Sequence, residues 1–497
     1  MPDEHLDVLI VGAGLSGIGA AHYLQERCPG KSLAILEARE EIGGTWDLFR
    51  YPGIRSDSDM NTLGYRFKPW TRGKALADGP SILSYIRETA REDGTLEKIR
   101  FNRRVAAVDY ASEEQRWHVT VERTDSGETE HLTCGFLHIC SGYYRYDQGY
   151  SPEFPGIERY RGEVVHPQHW PEDLDYEGKR VIVIGSGATA VTLVPALAEK
   201  AAHVVQLQRS PTYVASIPNV DPISDFLHRW LPTKAAYMLV RWKNVMLQSA
   251  FYQLCRRRPK MMRKLLRKGV VKALPAGYDV DTHFNPRYNP WDQRLCAVPD
   301  GDLFKALSRG SAEIVTDTIK SFTETGIELD SGMELEADVV ITATGLNLLF
   351  LGGAKLTVDG AEPDIPHAMA YKGMMLSDVP NMAFTLGYTN SSWTLKADLV
   401  AEYVCRLLNH MDAHGYTQCV AVADPSVEEV PLLDFPAGYV LRSLHELPKQ
   451  GSEAPWNLRM NYPLDLRALR HGPVEDSAMR FSRPVRQPQA EPEKIAA

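Results

Sequence analysis

The sequence predicts an α/β protein in which one strand–turn–helix unit occurs twice. In the first unit, an apolar run at residues 6–11 precedes the glycine-rich turn GAGLSG at 12–17 and then a helical pattern. In the second unit, the run KRVIVI at 179–184 precedes GSGATA at 185–190. A chain of 497 residues is also too long for one compact core, and about three units of ordinary domain size fit this length.

The first unit carries the pattern of a dinucleotide-binding fold. Gly12 allows a tight turn, Gly14 lets the backbone approach a pyrophosphate, and Gly17 lets the helix pack closely on the strand. A second apolar run at 33–36 ends in Glu37, whose carboxylate is placed to hold a ribose hydroxyl pair. Strand, turn, helix and terminal acid are all in register. We therefore predict a dinucleotide site rather than a glycine-rich turn of another kind.

The second unit predicts a nicotinamide dinucleotide that carries a 2′-phosphate. Its turn consists of Gly185, Ser186, Gly187, Ala188 and Thr189, and alanine replaces the third glycine of the fingerprint. After the next predicted strand, Gln208 stands where the first unit has Glu37, and Arg209 and Ser210 follow. A carboxylate here would repel the phosphate, whereas a guanidinium and a hydroxyl bind it, so NADPH is favoured over NADH. A surface salt bridge is the other interpretation of Arg209.

Two dinucleotide folds in one chain are typical of a flavoprotein, with FAD in the first fold and the nicotinamide donor in the second. The segments 136–142 (FLHICSG) and 338–345 (DVVITATG) are predicted strands that end in small-residue turns, where the chain crosses between domains. We expect two Rossmann-like domains, with the FAD-binding domain split between residues 1–147 and 330–485. The NADP-binding domain then covers 148–329 with a helical insertion at about 220–290, and 486–497 form a flexible tail.

Composition excludes several other classes of protein. Hydrophobic residues at 44% and charged residues at 24% are ordinary globular values. A net charge of -9 argues against a broad nucleic-acid surface. Seven scattered cysteines without a C-x-x-C pair predict reduced thiols in a cytosolic protein. No apolar run reaches the roughly 18 residues of a membrane span, and no metal-ligand set accompanies His166 and His169.

The predicted insertion contains an unusually basic segment. Residues 256–272 carry nine Lys and Arg among seventeen residues, with apolar residues at near-helical spacing. Two interpretations stay open. The segment is either an interfacial helix that makes a peripheral contact with acidic lipid, or a solvated basic helix packed on the NADP-binding domain.

The segment GGTW at 43–46 distinguishes among flavoproteins. In disulfide reductases a glycine pair at this place leads into a redox-active cysteine pair beside the flavin. Here Trp46 follows Gly44 and Thr45, and no cysteine is near, so a dithiol mechanism is excluded. We expect these three residues to lie on the flavin side of the first site.

Two longer motifs resemble the fingerprints of Baeyer–Villiger monooxygenases, the class B flavin-dependent monooxygenases. Residues 43–57 match G-G-x-W-x-x-x-x-Y-P-G-x-x-x-D. Tyr160, Gly162, His166 and Trp170 match F-x-G-x-x-x-H-x-x-x-W, with tyrosine in place of phenylalanine. Further stretches, such as YNPWDQRLC and YTNSSWTLKADLV, resemble the ethionamide-activating branch of that family.

This resemblance implies a reaction and roles for particular residues. NADPH reduces FAD, O2 adds to give a C4a-peroxyflavin, and one oxygen atom is inserted beside a ketone carbonyl to give an ester or lactone. Sulfides are implied as further substrates. By the same resemblance, Arg294 stabilises the negative charge and Asp57 holds Arg294, while Gly162, His166 and Trp170 couple cofactor position to domain movement. Gln293 replaces a lysine that often helps to hold the 2′-phosphate, which leaves more of that task to Arg209.

Two other functions remain open on the sequence. One is a flavin monooxygenase that oxidises only nitrogen or sulfur, a chemistry that does not need Arg294. The other is a non-catalytic flavoprotein redox sensor. Trp393, just ahead of a predicted helix, either walls the pocket or belongs to the core.

Overall fold

A computed structural model describes residues 4–293, 295–433, 435 and 437–484, and it contains two large sheets. The first sheet is mixed. Its strands, in spatial order, are Lys355–Val358, Arg103–Ala111, Arg116–Arg123, Thr129–Ile139, Glu4–Val11, Leu33–Leu36 and Ile99–Arg100, with Met382–Phe384 paired to Thr129–Ile139. Strands from both ends of the chain therefore share one sheet, which confirms the predicted split of the first domain.

The second sheet is parallel at every pairing and forms the second Rossmann-like unit. Its strands, in spatial order, are Ala312–Thr316, His203–Gln208, Arg180–Ile184, Val339–Thr342 and Glu163–Val165. Strand Val339–Thr342 pairs with Arg180–Ile184. The boundary expected between residues 329 and 330 is therefore too early, because the chain returns to the first sheet only at Lys355–Val358.

Helices cover both sheets. The α-helices of the described residues are Leu15–Arg27, Thr45–Leu48, Met60–Leu63, Gly79–Glu92, Ala188–Leu197, Pro222–Trp230, Thr233–Arg257, Pro259–Ala273, Val280–His283, Asp302–Arg309, Trp393–His414, Gly438–Ser443 and Tyr462–Asp465. Helices Leu15–Arg27 and Ala188–Leu197 follow the two glycine-rich turns. Four two-stranded sheets pair Tyr213–Ile217 with Leu295–Pro299, Ala370–Tyr371 with Met375–Leu376, Gln418–Ala421 with Met479–Ser482, and Glu429–Pro431 with Lys449–Gly451. In a three-stranded sheet, Gly326–Leu329 lies between Ile319–Phe322 and Glu334–Glu336.

The insertion is helical, as predicted, and it contacts both units. Tyr237 and Val245 of helix Thr233–Arg257 are buried in the core of the first unit. Val270 of helix Pro259–Ala273 is buried in the core of the second. The basic segment therefore does pack on the second unit, while the longest helix of the insertion packs on the first.

Three further expectations concern the cysteines, membrane-spanning helices and the C-terminal tail. All seven cysteines are free and buried. Within the described ranges, no helix combines the length and the apolar character that crossing a bilayer requires. The tail expected at 486–497 lies outside the described residues.

Candidate functional site

The two glycine-rich turns open onto one large cavity of about 1090 Å³. Gly12 and Gly14 line it from the first unit, and Ser186 and Gly187 line it from the second. Both turns follow the carboxyl ends of parallel strands, where open α/β sheets bind their ligands. The other predicted cofactor residues in the lining are Glu37, Gly44, Thr45, Trp46, Asp57, Ala188, Thr189 and Ser210.

The first turn has the close approaches that its glycines predict. Gly12 adopts a φ of +102°, and a Cβ there would lie 2.8 Å from the carbonyl oxygen of Cys140. A Cβ on Gly17 would overlap the carbonyl oxygen of Gly12, so Gly17 packs the helix on the strand from outside the cavity lining. Gly14 is the N-cap of helix Leu15–Arg27 and provides no capping side chain. The start of this helix is therefore open to a phosphate, as in dinucleotide sites.

Glu37 lies at the carboxyl end of its strand, the position expected for a ribose-binding acid. It directly follows strand Leu33–Leu36, its Oε2 accepts a hydrogen bond from the backbone N–H of Ala13 at 2.7 Å, and its Oε1 accepts one from that of Arg39 at 3.0 Å. Burial raises the pKa of this carboxyl above its ordinary value, against the opposing effect of the two N–H groups. Each oxygen keeps acceptor capacity for a hydroxyl. These residues fit the adenosine end of FAD.

Gly44 forms the opposite wall of the first turn. Its φ is +55°, and a Cβ there would lie 3.2 Å from the Cα of Gly14, so the two glycine segments are in close backbone contact. The hydroxyls of Thr45 and Tyr146 are hydrogen-bonded at 3.1 Å. Trp46 packs against the core of the first unit. Both glycines line the cavity, and their close backbone contact leaves little room for a side chain on Gly44.

The contrast between Gly14 and Gly17 gives a first testable prediction. A Cβ on Gly14 would meet Gly44 no closer than 3.7 Å, and the φ of -77° suits alanine, so Gly14→Ala should fold. It should nevertheless lose FAD occupancy severalfold, because the methyl group occupies the space of the pyrophosphate. Flavin absorbance per protein, with circular dichroism, measures both. A folded and fully loaded Gly14→Ala protein would contradict the site, whereas Gly17→Ala should fail to fold.

The second turn has the same construction. Gly185 has a φ of +139° and lies against the carbonyl of Ala343, outside the cavity lining. Gly187 is the N-cap of helix Ala188–Leu197, has no capping side chain, and has no atom within 4 Å of where its Cβ would be. Thr189 and Tyr51 both line the cavity beside this turn. A second pyrophosphate therefore fits at this helix start.

Arg209 and Ser210 follow strand His203–Gln208 and are exposed. Ser210 lines the cavity, and Arg209 lies next to it in sequence but not in the lining. Arg209 forms no ion pair with any described residue, which does not support the salt-bridge interpretation. The Gln208 side chain is buried and donates through Nε2 to the carbonyl of His283 and the hydroxyl of Thr316, both at 2.9 Å.

The second family motif, at residues 160–170, includes the edge strand Glu163–Val165 of the second sheet. Gly162 leaves no room for a Cβ beside the Tyr160 ring, and the Tyr160 hydroxyl donates to the carbonyl of Ala337 at 3.0 Å. Phenylalanine cannot make that bond. His166 Nε2 lies 3.3 Å from the carbonyl oxygen of Gly345, while its Nδ1 accepts from the N–H of Gln168 at 3.2 Å. Burial lowers the pKa of His166 below its ordinary value, which favours the neutral imidazole.

Trp170 packs beside the core of the second unit. Through its contact with the carbonyl of Gly345, His166 touches the segment by which the chain returns to the first sheet. No cluster able to hold a metal ion occurs among the residues that the structure describes.

Asp57 and Arg294 are the two residues expected to act in the reaction with substrate, and the structure describes only the first of them. Asp57 lines the cavity, at the end of the first motif. Arg294 lies outside the described residues. Its neighbours in the sequence, Gln293 and Cys296, both line the cavity.

Sequence reasoning missed an aromatic wall of the cavity. Tyr143 stacks on Trp393 with ring centroids 5.3 Å apart, and Tyr144 and Tyr146 also line the space. The Trp393 indole N–H donates to the hydroxyl of Ser16 at 2.8 Å. Trp393 lines the cavity and also packs against the core, so it is both a pocket wall and a core residue. The run YYRY at 143–146, just after the FLHICSG turn, was the available signal.

Comparison with known proteins is consistent with this geometry. Residues 76–353 match the family described as flavin-binding monooxygenase-like, and residues 10–72 match an NAD(P)-binding Rossmann-like domain. The chain belongs to the flavin-binding monooxygenase-like family. It is 59% identical over 482 residues to the FAD-containing monooxygenase EthA of Mycobacterium tuberculosis, covering 97% of this chain and 98% of that protein. It is 49% identical to the probable FAD-binding monooxygenase AlmA of Acinetobacter baylyi, covering 97% of each.

Solved structures show the same fold for this flavin monooxygenase. A steroid monooxygenase bound to NADP aligns with a TM-score of 0.75 at 22% identity and covers 96% of this chain and 99% of its own. A cyclohexanone monooxygenase from Rhodococcus sp. Phi1, bound to NADP+, aligns at 0.70 and 20% identity over 84% of this chain and 87% of its own. The predicted flavoprotein monooxygenase is confirmed, and the hypothesis of a non-catalytic sensor is wrong.

Proposed function

We propose that this flavin monooxygenase uses FAD and NADPH for Baeyer–Villiger oxidation. It inserts one oxygen atom of O2 beside the carbonyl of a small-molecule ketone, giving an ester or lactone, and it also oxidises sulfides. The observation that carries the proposal is that two dinucleotide turns and Asp57 share one cavity. The names of the relatives, which include FAD, and the NADP bound in the solved neighbours support the cofactor pair.

FAD is assigned to the first unit. The open start of helix Leu15–Arg27 stabilises the negative pyrophosphate, and Glu37 accepts from the ribose hydroxyls. Gly44 packs closely against Gly14 and also lines the cavity. Once reduced, the bound flavin supplies the activation of O2. The Tyr143–Trp393 wall helps to exclude water from the place where that chemistry occurs.

NADPH is assigned to the second unit. Gly187 and the start of helix Ala188–Leu197 receive its pyrophosphate. Arg209 and Ser210 hold the 2′-phosphate, since no carboxylate follows strand His203–Gln208 directly and Gln208 is already bonded elsewhere. His166 and its bond to Gly345 link this unit to the return segment. We assign Gly162, His166 and Trp170 to the coupling of cofactor position and domain movement.

Arg209 gives the test of nicotinamide choice. Arg209→Ala should raise the KM for NADPH roughly tenfold to a hundredfold, because it removes a charge-assisted contact to the 2′-phosphate. The KM for NADH should stay nearly unchanged. Arg309→Ala, at an exposed arginine of the same unit, is the matched control. Equal losses with both cofactors would show that Arg209 is structural and that the 2′-phosphate is held elsewhere.

Arg294 and Asp57 carry the step that separates Baeyer–Villiger oxidation from oxidation of nitrogen or sulfur alone. Attack on a ketone carbonyl places negative charge on oxygen in a site that excludes water. Arginine stabilises this charge better than lysine because its guanidinium keeps its proton. Asp57 lines the cavity and holds Arg294 as its charge partner in this proposal.

Product analysis tests the proposal. The flavin-loaded protein is incubated in air with NADPH and a panel of linear, cyclic and aryl ketones, with a thioether in parallel, and the products are identified by mass spectrometry. We expect an ester or lactone from at least one ketone class and a sulfoxide from the thioether. Sulfoxide without any ester would favour the flavin monooxygenase that acts only on nitrogen or sulfur.

A further inference from the structure

The helical insertion exposes apolar side chains in ordered stripes. On helix Pro222–Trp230, Ile223, Phe226 and Trp230 recur at intervals of three and four residues, so they share one face. Phe226 exposes 63% of its surface and Trp230 exposes 71%. None of this helix's residues is buried. A short surface helix that presents a phenylalanine and a tryptophan to the outside has an unpartnered face.

Helix Thr233–Arg257 continues this pattern on the side that faces away from the protein. Its exposed stripe consists of Leu239, Trp242, Met246, Ala250 and Leu254, with Leu247 beside it. The opposite side of the same helix is buried through Tyr237, Val240, Arg241 and Val245. A surface helix ordinarily has one apolar face. This one has two, and the second is exposed apart from a contact between Trp242 and the ring of Tyr462.

Helix Pro259–Ala273 adds a basic side to the same subdomain. Its Met262 and Val270 are buried, whereas Met261 and Leu265 are exposed among lysines. Six cations of residues 257–272 are exposed and make no ion pair with any described residue. They are Arg257, Arg258, Lys260, Lys264, Lys268 and Lys272. We call the three exposed stripes and these six cations the insertion surface.

Charge is segregated strongly around the insertion surface. Residues 226–278 contain 13 Lys and Arg and no Asp or Glu, in a chain whose net charge is -9. The complementary partner is therefore negatively charged and apolar beneath its charged layer. A second copy of this chain fits poorly, since a symmetric dimer would place the same cations opposite each other. Tryptophan, leucine and lysine together are instead the residues that enter a lipid headgroup layer.

The insertion surface stands on a rigid support. The buried Arg241 donates through Nη1 to the backbone carbonyls of Asn61 and Gly64, each at 2.7 Å, and through Nη2 to Asp398 at 3.2 Å. Asn244 of the same helix donates to Asp59 at 2.7 Å. The helix that carries the longest apolar stripe is thus fixed to the first unit. Its exposed face keeps a constant orientation relative to the cavity.

We propose that the insertion surface docks on an anionic lipid bilayer. The apolar stripes enter the boundary between headgroups and acyl chains, and the six cations contact the lipid phosphates. The protein then binds the bilayer peripherally, through part of its surface. This inference is independent of the oxidation reaction, because none of its residues lines the cavity.

Vesicle co-sedimentation tests the docking. The flavin-loaded full chain is mixed with vesicles of phosphatidylcholine alone or with about a third phosphatidylglycerol, at low and high salt. We expect binding to the anionic vesicles that salt weakens. Lys264→Gln/Lys268→Gln/Lys272→Gln should weaken it about a hundredfold, since each cation near an anionic surface contributes about fivefold. Phe226→Ser/Trp230→Ser should also release the protein, because it removes the inserted side chains.

Matched controls make the result specific. Lys98→Gln/Lys200→Gln/Lys305→Gln changes three exposed lysines elsewhere, and Leu441→Ser changes an apolar residue that exposes 53% of its surface outside the insertion. Both controls should bind as the parent does, and all variants should keep their flavin. The proposal is overturned if anionic vesicles are not bound, or if the controls lose as much binding as the insertion variants. It is also overturned if Phe226→Ser/Trp230→Ser dissociates a dimer without affecting vesicle binding.

Discussion

Replacing Arg294 by alanine should lower ester formation from a ketone by about a hundredfold or more, as the loss of one preorganised partner of a developing oxyanion typically does. The variant should keep its FAD and still oxidise NADPH, since no part of either dinucleotide turn is changed. Oxygen should then leave as hydrogen peroxide instead of appearing in the ester. The measurement is ester yield and hydrogen peroxide release per NADPH consumed.

Two companion variants define what Arg294 contributes. Arg294→Lys should restore little activity, because a lysine amine in a site that excludes water tends to lose its proton. Asp57→Ala should act in the same direction more weakly, by leaving the guanidinium less well positioned. Normal ester turnover in Arg294→Ala would contradict the proposed role and favour oxidation of nitrogen or sulfur alone.

Replacing Arg241 by leucine should lower the stability of the folded protein by about 3–5 kcal/mol, the usual loss when one partner of a buried ion pair is removed. Arg241 and Asp398 are both almost fully buried, and Arg241 also donates hydrogen bonds to the carbonyls of Asn61 and Gly64. The variant removes the guanidinium from all of these groups and leaves Asp398 with the backbone N–H of Arg66 as a donor. Urea unfolding of the flavin-loaded protein, followed by tryptophan fluorescence, measures the loss.

The matched control is Arg161→Leu. Arg161 and Glu324 form an ion pair of 2.8 Å, but both side chains are more than half exposed. Its loss should cost less than about 1 kcal/mol, because solvent screens such a pair. Equal stability losses in the two variants would mean that the Arg241 cluster does not fix the insertion to the first unit.

Local signals predicted the two dinucleotide turns well. The features of such a turn lie within about 30 residues of chain, so composition and spacing reveal them directly. The close approaches of Gly12 and Gly17 followed from that pattern. The same pattern predicted the position of Glu37 at the end of strand Leu33–Leu36.

Sheet membership was harder to predict. Strand Val339–Thr342 ends in a small-residue turn, which is equally expected at the edge of either domain. Periodicity shows that a segment is a buried strand, but not which sheet pairs with it. Contacts such as Thr45 with Tyr146, or Arg241 with Asn61, join positions more than 100 residues apart and leave no local trace.

The insertion shows a related limit. Apolar residues at helical spacing predict an amphipathic helix, but not whether its apolar face is covered. Met261 and Met262 are adjacent in the basic segment, yet the first is 48% exposed and the second is buried. The stripes of Phe226 and Trp242 lie outside that segment. Their exposure depends on tertiary packing, since helix Pro222–Trp230 buries none of its residues and helix Thr233–Arg257 buries only its opposite face.

Incorporation of labelled oxygen tests the central proposal most directly. The flavin-loaded protein is given NADPH, a mixture of ketones, a thioether and 18O2 in unlabelled water, and the masses of the products are determined by mass spectrometry. We predict an ester or lactone that carries one 18O atom, the other leaving as water, with one NADPH oxidised per ester formed. Ketone returned unchanged while a thioether in the same mixture gains one 18O atom would contradict Baeyer–Villiger oxidation.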